Sequence, residues 1–201
     1  MGKALPATEK GRRTRTAITA AAARLMHQRG IAATSLDDVL AESGAGKSQL
    51  YHYFDGKDDL AAAMLHHQYE RVLANQPSLT DPAAVDLFRW RDDVLAAHAR
   101  SGYANCPLGA FAGQVDGDPA LRAVLAELFE GWRAALAGLV GRARTANLVA
   151  PDTDPDDAGL ALLTALQGGT LYTHVQGGGD GLSRALDRAL AEMEARRPSA
   201  P

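Results

Sequence analysis

The chain has 201 residues, a formal net charge of −3 and one cysteine, and its aliphatic residues are 40 Ala, 26 Leu and 9 Val against 2 Ile. That palette forms helices and makes poor strands, which excludes an extensive β-sheet; the lone cysteine excludes a disulfide scaffold, and apolar runs cut short by Gly, Arg or Asp exclude a membrane span. Charge is unevenly placed: residues 1–57 carry nine Lys/Arg against five Asp/Glu, whereas residues 58–201 carry twelve against nineteen. The basic end is therefore expected to face a polyanion, while the acidic remainder keeps the chain in solution.

In chain order, residues 1–9 show no apolar periodicity and read as a frayed end, as do Arg196 to Pro201. The start also lacks the apolar stretch of a secretory signal, which together with the single cysteine points to the cytoplasm. Ile18, Ala22, Leu25 and Met26 recur at helical spacing and define a first amphipathic helix. Ser35-Leu36-Asp37-Asp38 is a capping-box variant that opens a short helix ending at Gly44. A second short helix follows the glycine turn, so Thr34 to Lys57 reads as a helix-turn-helix. Leu36, Val39 and Leu40 should face the first helix, and Leu50 and Phe54, four apart, should pin the second short helix to the same core. Its other face, Lys47, Ser48, Gln49, Tyr51 and His52, is polar and points outward. Lys and Gln suit base edges, and Ser, Tyr and His suit phosphate oxygens.

Further on, Leu60, Met64, Val72 and Leu73 mark another helix. Asp81-Pro82, Asp118-Pro119 and Asp154-Pro155 each read as a helix start, with Asp capping free N–H groups and Pro losing no hydrogen bond. Leu121, Leu125, Leu128, Trp132, Leu136 and Leu139 keep one stripe for five turns of a long helix that should cross the core. The last two helices, about 155–176 and 181–196, flank Gly177-Gly178-Gly179. The first of them is apolar on more than one face (Leu160, Leu162, Leu163, Leu166, Leu171, Val175). It is either buried centrally within one subunit or paired across a homodimer, and the second reading is preferred.

Other chemistries fit poorly. Ala41 to Ser48 satisfies a permissive P-loop pattern, but the residues before it read as helix rather than strand, and Ala41 stands where the stricter motif needs Gly. Six histidines show no metal-ligand spacing, and there is no G-x-S-x-G elbow or Cys-His-Asn set, so no metal, cofactor or enzymatic activity is expected. Cys106 precedes a short apolar helix (Leu108, Phe111, Val115) and is either a packing thiol or a reactive one. Met64, His67, Trp90, Cys106, Phe111, Phe129, Trp132, Gln167 and Tyr172 are the residues that could line a mostly apolar effector pocket. Gly168-Gly169 either lets helices approach or widens that pocket.

Residues 10–60 resemble the DNA-binding domain of the TetR/AcrR family of bacterial transcriptional regulators. The resemblance is carried by the Arg-rich entry to the first helix, Gly30, Thr34, the turn from Ala41 to Gly44, Leu50-Tyr51-His52-Tyr53-Phe54 and Lys57-Asp58-Asp59-Leu60. It implies helices at about 12–29, 36–43 and 47–53, in an all-α protein of about nine helices: a helix-turn-helix DNA-binding domain (1–56) and an effector-binding and dimerisation domain (57–197). It further implies that Thr34 and Lys57 contact phosphates at the two ends of the motif, that Tyr51 and His52 contact the backbone, and that Lys47 and Gln49 lie nearest the bases with Ser48 on the same face. Gly46 and Ser48 depart from the pattern: Gly46 supplies no capping oxygen, which leaves N–H groups at the start of the recognition helix for a phosphate. The implied partners are double-stranded operator DNA, a second copy bound through the two C-terminal helices, and an effector that releases a repressor; the mostly apolar candidate pocket residues make that effector small and hydrophobic or aromatic. The alternatives are a thiol-based sensor acting through Cys106 and a small-molecule-binding protein that does not regulate DNA.

Overall fold

The computed structural model describes residues 6–102 and 105–194. Regular structure among them is entirely helical: α1 (Glu9–Arg29), α2 (Leu36–Ser43), α3 (Lys47–Tyr53), α4 (Lys57–Ala74), α5 (Leu87–Arg100), α6 (Pro119–Thr145), α7 (Pro155–Gln176) and α8 (Gly181–Glu192), with short 3-10 segments at Pro77–Leu79 and Gly109–Gln114. This is the all-α class expected from the composition. Two compact units are formed, one from the residues up to Arg71 with Ala110–Glu127, the other from Val72–Gly109 with the residues from Leu128 onward.

In the first unit, α1 begins earlier than its apolar periodicity shows, because the Thr8 hydroxyl accepts the Gly11 N–H at 3.1 Å and Thr8 caps the helix. Residues 8 and 9 are therefore structured rather than frayed; residues 1–5 and 195–201 lie outside the described residues. Ser35 and Asp38 form the expected reciprocal cap, Ser35 Oγ accepting the Asp38 N–H at 3.1 Å and Asp38 Oδ2 accepting the Ser35 N–H at 3.0 Å. Gly44 closes α2 at φ 67°, a left-handed conformation that glycine adopts without steric cost. α1 packs on both α2 and α3. The core holds Ile18, Ala22, Met26, Val39, Leu50, Phe54, Leu60 and Met64, all essentially inaccessible to solvent. Burying a side chain the size of Leu50 or Phe54 contributes about 1.5–3 kcal/mol, enough for two residues to hold a seven-residue helix that would not persist alone.

In the second unit, Trp90 and Trp132 are fully buried and their indole N–H groups converge on one oxygen, Gln76 Oε1, at 2.8 and 3.4 Å. Arg91 ties α5 to α8 through Asp187 at 2.9 Å and Ser183 at 2.9 Å, and His98 Nε2 meets Thr170 Oγ1 of α7 at 3.0 Å. α7 and α8 approach closely at Gly169, where a Cβ would sit 2.9 Å from Leu182 Cα, so that glycine serves packing; Gly168 faces open space.

Two of the three Asp-Pro pairs open helices. Asp118 caps Ala120 and Leu121, and Asp154 caps Asp156 and Asp157. Asp81-Pro82 does not. Arg142 donates to the carbonyls of Ser78 (3.1 Å) and Ala84 (2.7 Å), which holds that segment in turns and removes a carbonyl that a helix would use. The helix is deferred to Asp86, whose carboxylate accepts the N–H groups of Phe88 and Arg89.

Candidate nucleic-acid interface

α2, the turn at Gly44 and α3 have the boundaries expected from the sequence, and Leu50 and Phe54 point inward as their spacing requires. Lys47, Ser48, Gln49, Tyr51 and His52 are all exposed on α3. The His52 ring meets the Tyr53 ring edge-on, 4.9 Å between centroids, and so has a preferred orientation on the surface. Arg15 lies over the Phe54 ring at 5.2 Å, linking α1 to the end of α3. An exposed pair of Arg24 and Glu42, with nitrogen to oxygen distances of 3.1 and 2.9 Å, links α1 to α2.

At the start of α3 no side chain accepts a hydrogen bond from the first helical N–H groups, as expected from a glycine at the cap position. Gln49 Oε1 instead accepts the N–H of Gly46 itself at 2.8 Å, which ties the third residue of the helix back to the residue that precedes it. A Gly-x-x-Gln spacing was the signal for this in the sequence.

Thr34 and Lys57 differ from expectation. Thr34 is 1% exposed and its hydroxyl donates to the Gly30 carbonyl at 2.8 Å, so in this conformation it stabilises the α1–α2 turn and offers no hydroxyl to a phosphate. Lys57 Nζ donates to the carbonyl of Ala32 in that same turn at 2.9 Å. Both side chains are thus bonded to carbonyls of the turn between α1 and α2. A further tie was invisible in the sequence: Gln114 Oε1 accepts the Ile31 N–H at 2.8 Å. The electrostatics of the cap are local, the Ser35 hydroxyl and amide holding the Asp38 carboxyl below its ordinary range.

The nine residues expected to line an effector pocket are shared between the two units. Met64, His67 and Phe111 belong to the first unit, and Trp90, Cys106, Phe129, Trp132, Gln167 and Tyr172 to the second. Within the second, Phe129 leans on Trp132 at 6.1 Å, beside the Gln76–Trp90 pair. Cys106 is buried, its Sγ accepting the Gly109 N–H at 3.2 Å and the Gln167 amide N–H at 3.6 Å. Tyr172 is 60% exposed and lines no interior space; it stands on the outward face of α7 against Gly181. Burial holds the His67 imidazole below its ordinary range. No group of three or more His, Cys, Asp or Glu is gathered among the described residues, and none of their helices is long and apolar enough to cross a membrane.

Residues 18–64 match the family described as bacterial regulatory proteins, tetR family, and residues 84–190 match the tetracyclin repressor-like C-terminal domain. An HTH-type transcriptional regulator of Mycobacterium tuberculosis is 31% identical over 175 residues, covering 81% of this chain and 84% of the relative. The chain belongs to the TetR family of bacterial transcriptional regulators. An HTH-type regulator from the lacX 3′ region of Lactococcus lactis is 30% identical over 103 residues, which is 49% of this chain; the match spans about half of that relative, 53% of its length. The fold of this TetR-family regulator is also that of SmeT, the repressor of the Stenotrophomonas maltophilia multidrug efflux pump SmeDEF, at a TM-score of 0.67 and 21% identity, covering 92% of each chain. SmeT has also been solved as a complex with triclosan. TetR-family proteins are DNA-binding regulators and not enzymes.

Proposed function

We propose that this TetR-family regulator is a homodimeric repressor that binds a palindromic operator and leaves it when a small hydrophobic or aromatic effector enters the body formed by residues 57–197. The observation that carries this reading is α3: two buried anchors, Leu50 and Phe54, fix a helix whose other face offers only polar, exposed side chains to a DNA groove. In this reading residues 1–56 bind DNA, Lys47 and Gln49 lie nearest the bases, and Ser48, Tyr51 and His52 meet the backbone. Lys57 keeps two donors beyond the one given to Ala32, and these face the phosphates.

Dimerisation is supported by α7, where Leu160, Leu171, Tyr172 and Val175 are 53–71% exposed while Leu162, Leu163 and Leu166 are buried. One apolar face of that helix has no partner among the described residues, and beside it lies a groove with Leu160, Ala161, Ala165, Ala185 and Ala189 along it and Asp157, Arg188 and Glu192 among its other lining residues. A second copy covers both and sets two recognition helices about one DNA turn apart. An effector that shifts α4 moves the helix-turn-helix joined to it through Lys57 and spoils that spacing; by linkage, operator DNA weakens effector binding by the same factor. SmeT, a repressor solved with the aromatic compound triclosan, supports the sign of regulation and the effector class by likeness of fold. The protein works in the cytoplasm, where its DNA is.

The test is a salt series of binding to DNA flanking the protein's own coding region. A protected palindrome whose affinity falls steeply with salt is the expected result. Weak binding without sequence preference at every salt concentration overturns the operator reading.

A second reading makes oxidants or electrophiles the effector, with Cys106 as the reacting group, its Sγ receiving the N–H groups of Gly109 and Gln167. In that case alkylating the single cysteine lowers operator affinity. Unchanged affinity after complete alkylation removes this reading.

A further inference from the structure

The carboxamide of Gln49 has a defined orientation. Its Oε1 lies 2.8 Å from the Gly46 N–H, a group that can only donate, so the oxygen is engaged with the backbone and the NH2 is the end of this exposed side chain left to meet DNA. Glutamine reads adenine with both ends, its oxygen accepting from the N6 amino group while its nitrogen donates to N7. Here the oxygen is engaged and turned back along the chain. What remains at the groove is a pair of donors, next to Lys47, which is a donor only. Among base edges in the major groove, guanine alone presents two neighbouring acceptors, O6 and N7, and no donor.

We infer that Gln49 specifies guanine in each half-site, donating through Nε2 while Gly46 holds its oxygen. The inference rests on the reading of α3 as the base-reading helix. It adds which base Gln49 selects and why it does not select adenine.

The full-length protein is tested against a library of randomised duplexes, alongside Gln49→Glu and Gln49→Ala. Glu at this position keeps the tie to Gly46, since a carboxylate oxygen accepts the Gly46 N–H, yet turns the outward group from donor to acceptor. The expected result is guanine at one position of each half-site for the wild type, favoured over adenine by roughly tenfold. For Gln49→Glu the same position moves to cytosine, whose N4 amino group donates; for Gln49→Ala it loses its preference. Placing 7-deazaguanine at that position tests the DNA side with the wild-type protein intact: the lost N7 weakens wild-type binding and leaves Gln49→Ala binding unchanged. Adenine at the position in the wild type, a preference that neither substitution moves, or an equal or absent effect of 7-deazaguanine on both proteins overturns the assignment while leaving operator binding intact. Enrichment of no sequence by any of the three proteins overturns the base-reading role of α3, and the assignment falls with it.

Discussion

Lys57 and Ala32, 25 positions apart, are joined by a 2.9 Å hydrogen bond from the lysine Nζ to the alanine carbonyl. A cation on the first residue of a helix opposes the helix dipole, so Lys57 is stabilised by the carbonyl it reaches rather than by α4 itself. The bond fixes the start of α4 to the turn between α1 and α2.

Lys57→Met keeps the aliphatic stem and removes the bond. The expected loss of stability is modest, about 0.5–1.5 kcal/mol, because the bond is exposed. Operator affinity is expected to fall as well, through the looser turn and the missing phosphate donors. Thermal melts and footprint titrations on the same preparation read the two effects; a variant with wild-type operator affinity removes Lys57 from the DNA interface.

Gln114→Ala deletes the acceptor for the Ile31 N–H, a residue 8% exposed. An orphaned, largely buried N–H costs about 1–3 kcal/mol. Urea denaturation should show a lower midpoint at an unchanged slope. A midpoint equal to that of the wild type means that water takes the place of the amide.

Leu171→Glu places a charge on the outward face of α7, where the leucine is 54% exposed in the single chain. If a second copy covers that face, the variant sediments as a folded monomer and binds the operator far more weakly than the wild type, since each monomer holds one half-site. A variant that remains dimeric places the dimer interface elsewhere.

Burial, and after it the nearby His174, holds the His98 imidazole below its ordinary value of 6.5. The unfolded chain therefore takes up this proton more readily than the folded one. Stability from His98 is full above 6.5 and is lost as the pH falls below it. Chemical denaturation across that range should show stability declining towards acid, and His98→Gln should flatten the decline in part, since His67 is shifted in the same direction by burial. Superimposable profiles for the two proteins clear His98 of the effect.

The parts of this protein legible in its residues were the local ones. The Ser35–Asp38 cap, the left-handed Gly44, the limits of α2 and α3 and the inward Leu50 and Phe54 each depend on side chains within four positions of one another, where chain geometry alone decides the contact. The doubly apolar character of α7 was equally plain, and its exposed Leu171 and Val175 beside buried Leu162 and Leu166 follow from it. What depended on the tertiary structure were contacts between residues far apart in the chain: Lys57 with Ala32, Gln114 with Ile31, Trp132 with Gln76, and Arg142 with Ala84, the last overriding a good local helix start at Asp81. Such contacts leave no periodic trace. A buried hydrogen bond is set by where packed helices bring a donor and an acceptor, and apolar spacing records only which face of each helix is hidden.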